Sequence, residues 1–311
     1  MSTKRKSIGL VGYACDFGGT VAGSGLGPKV LREMGLADSI RRLGWDLTDY
    51  GDVEKGALIA PPVQFSEGES SSKNFAEVYS ACAELNQKVK KILSDGHIPL
   101  VLGGDHSTSI GSVPAVADYY AQKGENIGLL WVDAHPDINT PETSPSGRFF
   151  GMSVAALLGL MPGALSSLQQ KSPAIKFENL AFIGLRDVDP DERTLINARC
   201  SKGAFPMGSI DGEGIKNVLN QALEIVLEAT SGVVLSFDLD VCDPNFAPGT
   251  GTPKRGGLTY RESRYLLEKL ADSGKLVAIE FVEFNPTLDR SGQTAEVALS
   301  LIQSVLGERI L

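Results

Sequence analysis

Histidine is scarce in this chain, and cysteine, net positive charge and long apolar runs are scarce with it. Four cysteines occur among 311 residues. Cys15, Cys82, Cys200 and Cys242 show no paired spacing, which excludes a zinc ribbon, a CxxC redox motif and a disulfide framework. Four such thiols read as reduced core residues and imply a cytoplasmic setting; Cys242, two residues past Asp240, is read the same way. Lysine plus arginine numbers 29 against 38 aspartate plus glutamate, a net charge of −9. That balance argues against nucleic acid or an anionic membrane as the main partner. No stretch approaches the ~18 apolar residues of a spanning helix. Lys4-Arg5-Lys6 before Ile8 to Cys15 faintly imitates a signal peptide, but the apolar stretch soon meets Asp16 and reads better as a first strand. Internal repeats, linkers and low-complexity tails are missing too, so one domain is expected over residues 1–311.

What is present is a regular alternation of short apolar runs with helical patterns. Ile8 to Val11, Ile98 to Leu102, Ile127 to Val132, Leu180 to Leu185, Val233 to Phe237 and Leu276 to Val282 read as strands apolar on both faces. Pro28 opens a helix through Arg42. Phe75, Val78, Cys82, Leu85, Val89 and Leu93 mark a second, closed by Asp95-Gly96. Ile215 to Ala229, Tyr260 to Asp272 and Ala295 to Leu306 read as three more. The expected fold is α/β: a mostly parallel sheet in one domain, with helices on both faces. Gly18 to Pro28 is glycine-rich between strand and helix but lacks the G-x-G-x-x-G register and a P-loop lysine, so phosphate binding is not expected. Asn139 to Gly151 is a polar loop suited to substrate recognition.

Carboxylates punctuate the strand exits. Gly103-Gly104-Asp105-His106, Asp133-Ala134-His135-Pro136-Asp137, Asp187 with Asp189, Asp238-Leu239-Asp240 and Glu283 each follow an apolar run. In an open parallel sheet the ligand crevice lies beyond the carboxyl ends of the strands, so these residues are candidates for one shared site. Two of the three histidines, His106 and His135, fall inside the acidic exits, while His97 has no carboxylate beside it and reads as structural. Four aspartates converging in one crevice would repel one another and raise one another's pKa values. They require cations. His106, Asp133, His135, Asp137, Asp238 and Asp240 together offer hard oxygens and imidazoles, a set that suits Mn²⁺ better than Zn²⁺ or Mg²⁺. Two such ions would bring the cluster near neutrality, favouring a cationic small-molecule substrate and a nucleophile at neutral pH.

With these motifs the chain resembles the ureohydrolase family, arginases in particular. The resemblance runs from Gly25-Leu26-Gly27-Pro28 to the last helix. It rests on Gly103-Gly104-Asp105-His106-Ser107, Trp131-Val132-Asp133-Ala134-His135, Ser236-Phe237-Asp238-Leu239-Asp240 and Glu283-Phe284-Asn285-Pro286. It implies a single α/β/α domain and two Mn²⁺ per subunit. His106, Asp133, Asp137 and Asp238 would hold one ion, and His135, Asp133, Asp238 and Asp240 the other. It further implies hydrolysis of L-arginine to L-ornithine and urea through a metal-bridging hydroxide, in a homo-oligomer of three or six subunits. Asp137 would transfer the proton, Glu283 would orient the guanidinium, and Thr252 would support the site. Asn139 and Ser146 match family residues that bind the α-carboxylate, and Asp189 and Glu192 those that receive the α-amino group. Asp189-Pro190 with Glu192 also reads as a helix N-cap. One departure stands out: Phe150 occupies the place where the family usually has a proton-shuttling histidine. The alternatives are another guanidino substrate such as agmatine or guanidinobutyrate, or a metal-binding homologue without catalysis.

Overall fold

Strands that are apolar on both faces are stable only when helices cover each side of their sheet. The structure, a computed structural model, describes residues 7–53, 58–59, 72–161 and 163–310; the basic lead-in at 4–6 lies outside them. Eight strands are described: β1 (Ser7–Tyr13), β2 (Asp46–Val53), β3 (Ile98–Leu102), β4 (Gly128–Val132), β5 (Leu180–Leu185), β6 (Ala204–Pro206), β7 (Val233–Asp238) and β8 (Leu276–Val282). They form one sheet in the order β2-β1-β3-β8-β7-β4-β5-β6, and every pair is parallel. Successive side chains enter opposite cores, as the two-residue period demands. Leu129 and Trp131 of β4 pack on one side, and Leu130 and Val132 on the other.

The first core is closed by α3 (Phe75–Ser94), α4 (Thr108–Ala121) and α5 (Ser153–Leu157), with Ile196 of α6 (Pro190–Arg199) joining it. The second lies beneath α1 (Gly27–Glu33), α2 (Leu36–Arg42), α7 (Met207–Val226), α8 (Tyr260–Ser273) and α9 (Gln293–Val305). The chain leaving β4 runs outward to β5, whereas the chain leaving the adjacent β7 turns back to β8. Diverging exits of this kind open a crevice at the carboxyl edge. No described helix is long and apolar enough to cross a membrane.

Several elements depart from the sequence reading. The helix expected from Pro28 to Arg42 is two helices, broken where Gly35 takes φ 83°. The helix expected at Ile215 starts eight residues earlier, at Met207, across a non-helical Gly214. β2 and β6 escaped notice because both are edge strands; β2 is largely exposed and polar, the usual guard against sheet-to-sheet pairing. α4 also escaped, since Gly111 and an internal Pro114 lower its helix propensity; packing on every side sustains it.

Close packing gives a stability test. A Cβ at Gly128 would collide with the backbone carbonyl of Val226, whereas one at Gly208 would meet nothing within 4 Å. Gly128→Ala should cost about 1–3 kcal/mol or more in urea unfolding. Gly208→Ala should be neutral or stabilising by up to about 1 kcal/mol. Equal effects of the two would contradict this packing.

Candidate metal centre and active-site cleft

Three strand exits share one local device. Asp105, Asp133 and Asp238 each accept the amide two residues on, from Ser107 (2.9 Å), His135 (2.7 Å) and Asp240 (2.7 Å). Such turns fold the following side chain back toward the aspartate, and the Asp-x-His and Asp-x-Asp spacings follow from it. Asp105 itself turns away from the centre and accepts Gly18 N at 2.9 Å, so the glycine-rich loop packs on the β3 exit and is not a phosphate cradle. Gly104 allows that packing, since a Cβ there would overlap the carbonyl of Cys15.

All six expected ligands converge. His106 Nδ1 lies 3.0 Å from Asp133 Oδ2, 3.2 Å from Asp137 Oδ2 and 3.1 Å from Asp238 Oδ2. His135 Nδ1 lies 3.4 Å from Asp133 Oδ1 and 3.1 Å from Asp240 Oδ2. Asp133 thus gives one oxygen to each group. Asp238 enters the first group by Oδ2, while its Oδ1 accepts the Asp240 amide just as Asp133 Oδ1 accepts that of His135. His106 Nδ1 and Asp133 Oδ2 face each other in the interior without a well-formed hydrogen bond, a state that is costly unless a proton or an ion joins them. His106, Asp133 and Asp137 form one group able to hold an ion, and Asp133, His135 and Asp240 a second. The donors fit two divalent cations sharing Asp133.

The electrostatics agree. Burial opposes a charge on either imidazole, yet the facing carboxylates raise the pKa values of His106 and His135 well above the ordinary range. Against burial, the two imidazoles hold Asp133 low. Burial and Asp133 push Asp137 up to about 6, and burial with Asp240 raises Asp238. Protons here occupy places that cations compete for.

A polar frame surrounds the cluster. Thr252 Oγ1 donates to Asp240 Oδ2 at 2.9 Å. His135 Nε2 lies 3.3 Å from Asp187, which Lys254 pairs at 2.6 Å. The His106 ring stacks on Trp131 at 3.9 Å. Arg186 donates to the carbonyls of Gly184, Asp240, Val241 and Lys254, tying the β5 and β7 exits together. Arg186, Lys254 and Trp131 were missed as site residues; an arginine between a strand end and Asp187-x-Asp189 was the available signal. Glu283 is buried beside His106 with φ 64°, and its Oε1 accepts His106 N at 2.8 Å. Cys242 is buried, and its thiol is pushed up to about 12 by burial.

A cleft of about 220 Å³ opens over His135 and Asp137. Asn139, Ser146, Asp189 and Glu192 line it, with Phe150 and Thr252. Asn139 Nδ2 donates to Asp189 Oδ2 at 2.9 Å, while its Oδ1 accepts Thr143 Oγ1 at 2.9 Å. Ser146 Oγ accepts Arg148 N at 3.2 Å. Glu192 closes the capping box of α6, accepting Asp189 N and Ile138 N. Burial, foremost, pushes it up to about 8.

The arginase family model matches residues 6–307. The chain belongs to the arginase family. It is 40% identical to the arginase of Bacillus caldovelox over 306 residues, 98% of this chain and all of that one. It is 41% identical to the arginase of Brevibacillus brevis, covering 98% and 99%. The native B. caldovelox arginase structure superposes with a TM-score of 0.90, covering 98% of this chain and 100% of that one. The Entamoeba histolytica arginase, solved with L-ornithine, gives 0.87 at 27% identity, covering 98% and 100%. This arginase-family chain is therefore a hydrolase whose described residues include a possible metal site.

A pH test follows from the raised values. A group whose folded pKa exceeds its unfolded value stabilises the fold below the unfolded pKa and loses that contribution as pH rises. His106 and His135 are both raised. Chelator-treated protein should therefore lose stability from about pH 6.5 upward, the unfolded histidine value. Urea midpoints between pH 6 and 9 read this directly, and a midpoint that climbs with pH would refute it.

Proposed function

We propose that this hydrolase cleaves the guanidinium of L-arginine to give L-ornithine and urea, using two Mn²⁺ ions. The observation that carries this is the sharing of Asp133 between two histidine–carboxylate groups at the floor of a cleft walled by Asn139, Ser146 and Asp189. His106, Asp133, Asp137 and Asp238 would hold one ion, and His135, Asp133, Asp238 and Asp240 the other. The choice of manganese rests on the donors, imidazole with hard oxygen. Two divalent ions so held would lower the pKa of water and so supply a nucleophile at neutral pH.

The chain's own residues supply the rest. Asp137, on the cleft floor, accepts a proton and passes it to the leaving amine. Glu283 commits one oxygen to the His106 amide and offers Oε2 to orient the guanidinium. Thr252 keeps Asp240 in place. At the other end Asn139 and Ser146 address the α-carboxylate. Asp189 receives the α-amino group, with Glu192 holding the Asp189 backbone rigid. A substrate lacking the carboxylate, such as agmatine, leaves those polar groups unmatched and is discriminated against. Phe150 lines the cleft and has no ionisable atom, so proton exchange with solvent falls to water and turnover is lowered. Four buried free thiols support a cytoplasmic setting. The family resemblance supports a trimer or hexamer, to be read by sedimentation velocity.

Urea release from L-arginine, agmatine and guanidinobutyrate with added Mn²⁺ tests the assignment. L-arginine should be the best substrate, and no urea from it would sink the reading. Asp137→Asn should lower kcat by roughly 10²–10⁴-fold. Phe150→His should raise turnover; a variant no faster at any pH would show that Phe150 does not limit the reaction.

A further inference from the structure

One buried carboxyl group has no part in the chemistry so far. Glu280 lies in β8, in cross-strand register with Ser236 of β7, which is itself in register with Trp131 of β4. Glu280 is 1% exposed and Ser236 fully buried. The start of α4 closes over this row. Ser109 Oγ donates to Glu280 Oε2 at 2.7 Å, and Ser112 Oγ donates to Glu280 Oε1. Ser236 Oγ lies 3.3 Å from Ser109 Oγ and 2.9 Å from His106 Nε2. A carboxyl group set among apolar residues of a sheet face is costly unless its partners are satisfied. Here the partners form a single file that ends on His106.

Each hydroxyl carries one proton, and that fixes the direction of the file. Ser109 spends its proton on Glu280, so its oxygen accepts from Ser236. Ser236 has then spent its own, so its oxygen accepts from His106 Nε2. Nε2 must carry a hydrogen, and the neutral ring then has a bare Nδ1. That is the atom aimed at Asp133, Asp137 and Asp238. Were the file reversed, Nε2 would accept and Nδ1–H would donate to those carboxylates, closing the place where an ion would bind. Partners one step beyond a histidine ligand commonly settle which nitrogen is free, and their loss costs roughly 10–100-fold in metal affinity.

We infer that Glu280, acting through Ser109 and Ser236, is a positioning residue that sets the tautomer of His106 and thereby the affinity of the ion held by that histidine, but not of its neighbour held by His135. His135 is served separately, by Asp187 at its Nε2. This rests on the two-manganese reading, and the experiment separates the two.

Manganese binding to chelator-treated protein is measured by equilibrium dialysis and by electron paramagnetic resonance, which distinguishes a spin-coupled pair from an isolated ion. Wild type should bind two ions as a coupled pair. Ser236→Ala and Ser109→Ala should each weaken one ion roughly 10–100-fold and leave the other within about twofold. The isolated-ion spectrum should then replace the coupled one at intermediate manganese. Ser109→Thr, which keeps the hydroxyl, should restore the pair. Urea unfolding of the metal-free variants reports the purely structural contribution. Two wild-type affinities in both alanine variants would overturn the inference while leaving the manganese reading intact. So would equal weakening of both ions, which marks general loosening of α4 against the sheet. If one alanine variant fails to fold, the other decides. A wild-type chain that binds no manganese defeats the underlying reading and this inference with it.

Discussion

Four aspartate side chains crowd two imidazoles beneath a cleft, each carboxylate within 3.0–3.2 Å of an imidazole nitrogen, and of the six only His135 is more than slightly exposed. Like charges at such distances in a medium of low dielectric repel strongly. The imidazoles relieve part of this by holding protons, and the cations proposed above would relieve it further. The surrounding architecture keeps the groups together despite this repulsion. Five neighbouring parallel strands, β3, β8, β7, β4 and β5, deliver their exits to one edge. Their side chains sit at strand ends, where the backbone ladder limits movement.

Backbone chemistry around the cluster serves the same end. Asp133 and Asp238 each use one oxygen to close a local turn. Arg186 directs its guanidinium to backbone carbonyls from three segments, so these bonds leave the carboxylates of the cluster unneutralised. Asp137 and Glu283 adopt left-handed backbone conformations that non-glycine residues rarely take, and such strain persists only where neighbours over-determine it. Each histidine has its far nitrogen held by a different route, a buried hydroxyl file for one and a half-exposed ion pair for the other. The two ions of the proposed centre therefore need not respond alike to mutation.

The cleft wall is built differently from its floor. Asn139 and Ser146 come from the loop after β4, and Asp189 and Glu192 from the cap of α6. Asn139 bridges the two by bonding Asp189, so the groups proposed to read opposite charges of an α-amino acid are coupled in one network. Phe150 borders the same space with an apolar ring. In this reading the chain keeps substrate recognition and gives up a means of moving protons to solvent.

Much of this was legible from residues alone. Strands β3, β5 and β8 were placed to the residue, because doubly buried strands read as unbroken apolar runs. The acidic exits named the cluster because a carboxylate directly after such a run has one place to go. The capping box at Asp189 and Glu192 was visible in the same way. The polar edge strand β2, the proline-bearing α4 and the break at Gly35 were not, since tertiary packing or solvent exposure outweighs local propensity there. Which oxygen of Asp133 faces which histidine was equally hidden, as were the carbonyl grip of Arg186 and the file from Glu280 to His106. Those contacts join residues up to 171 positions apart. Residue order records the chemical groups at each strand end, but only the crossing of the strands brings them within hydrogen-bond reach.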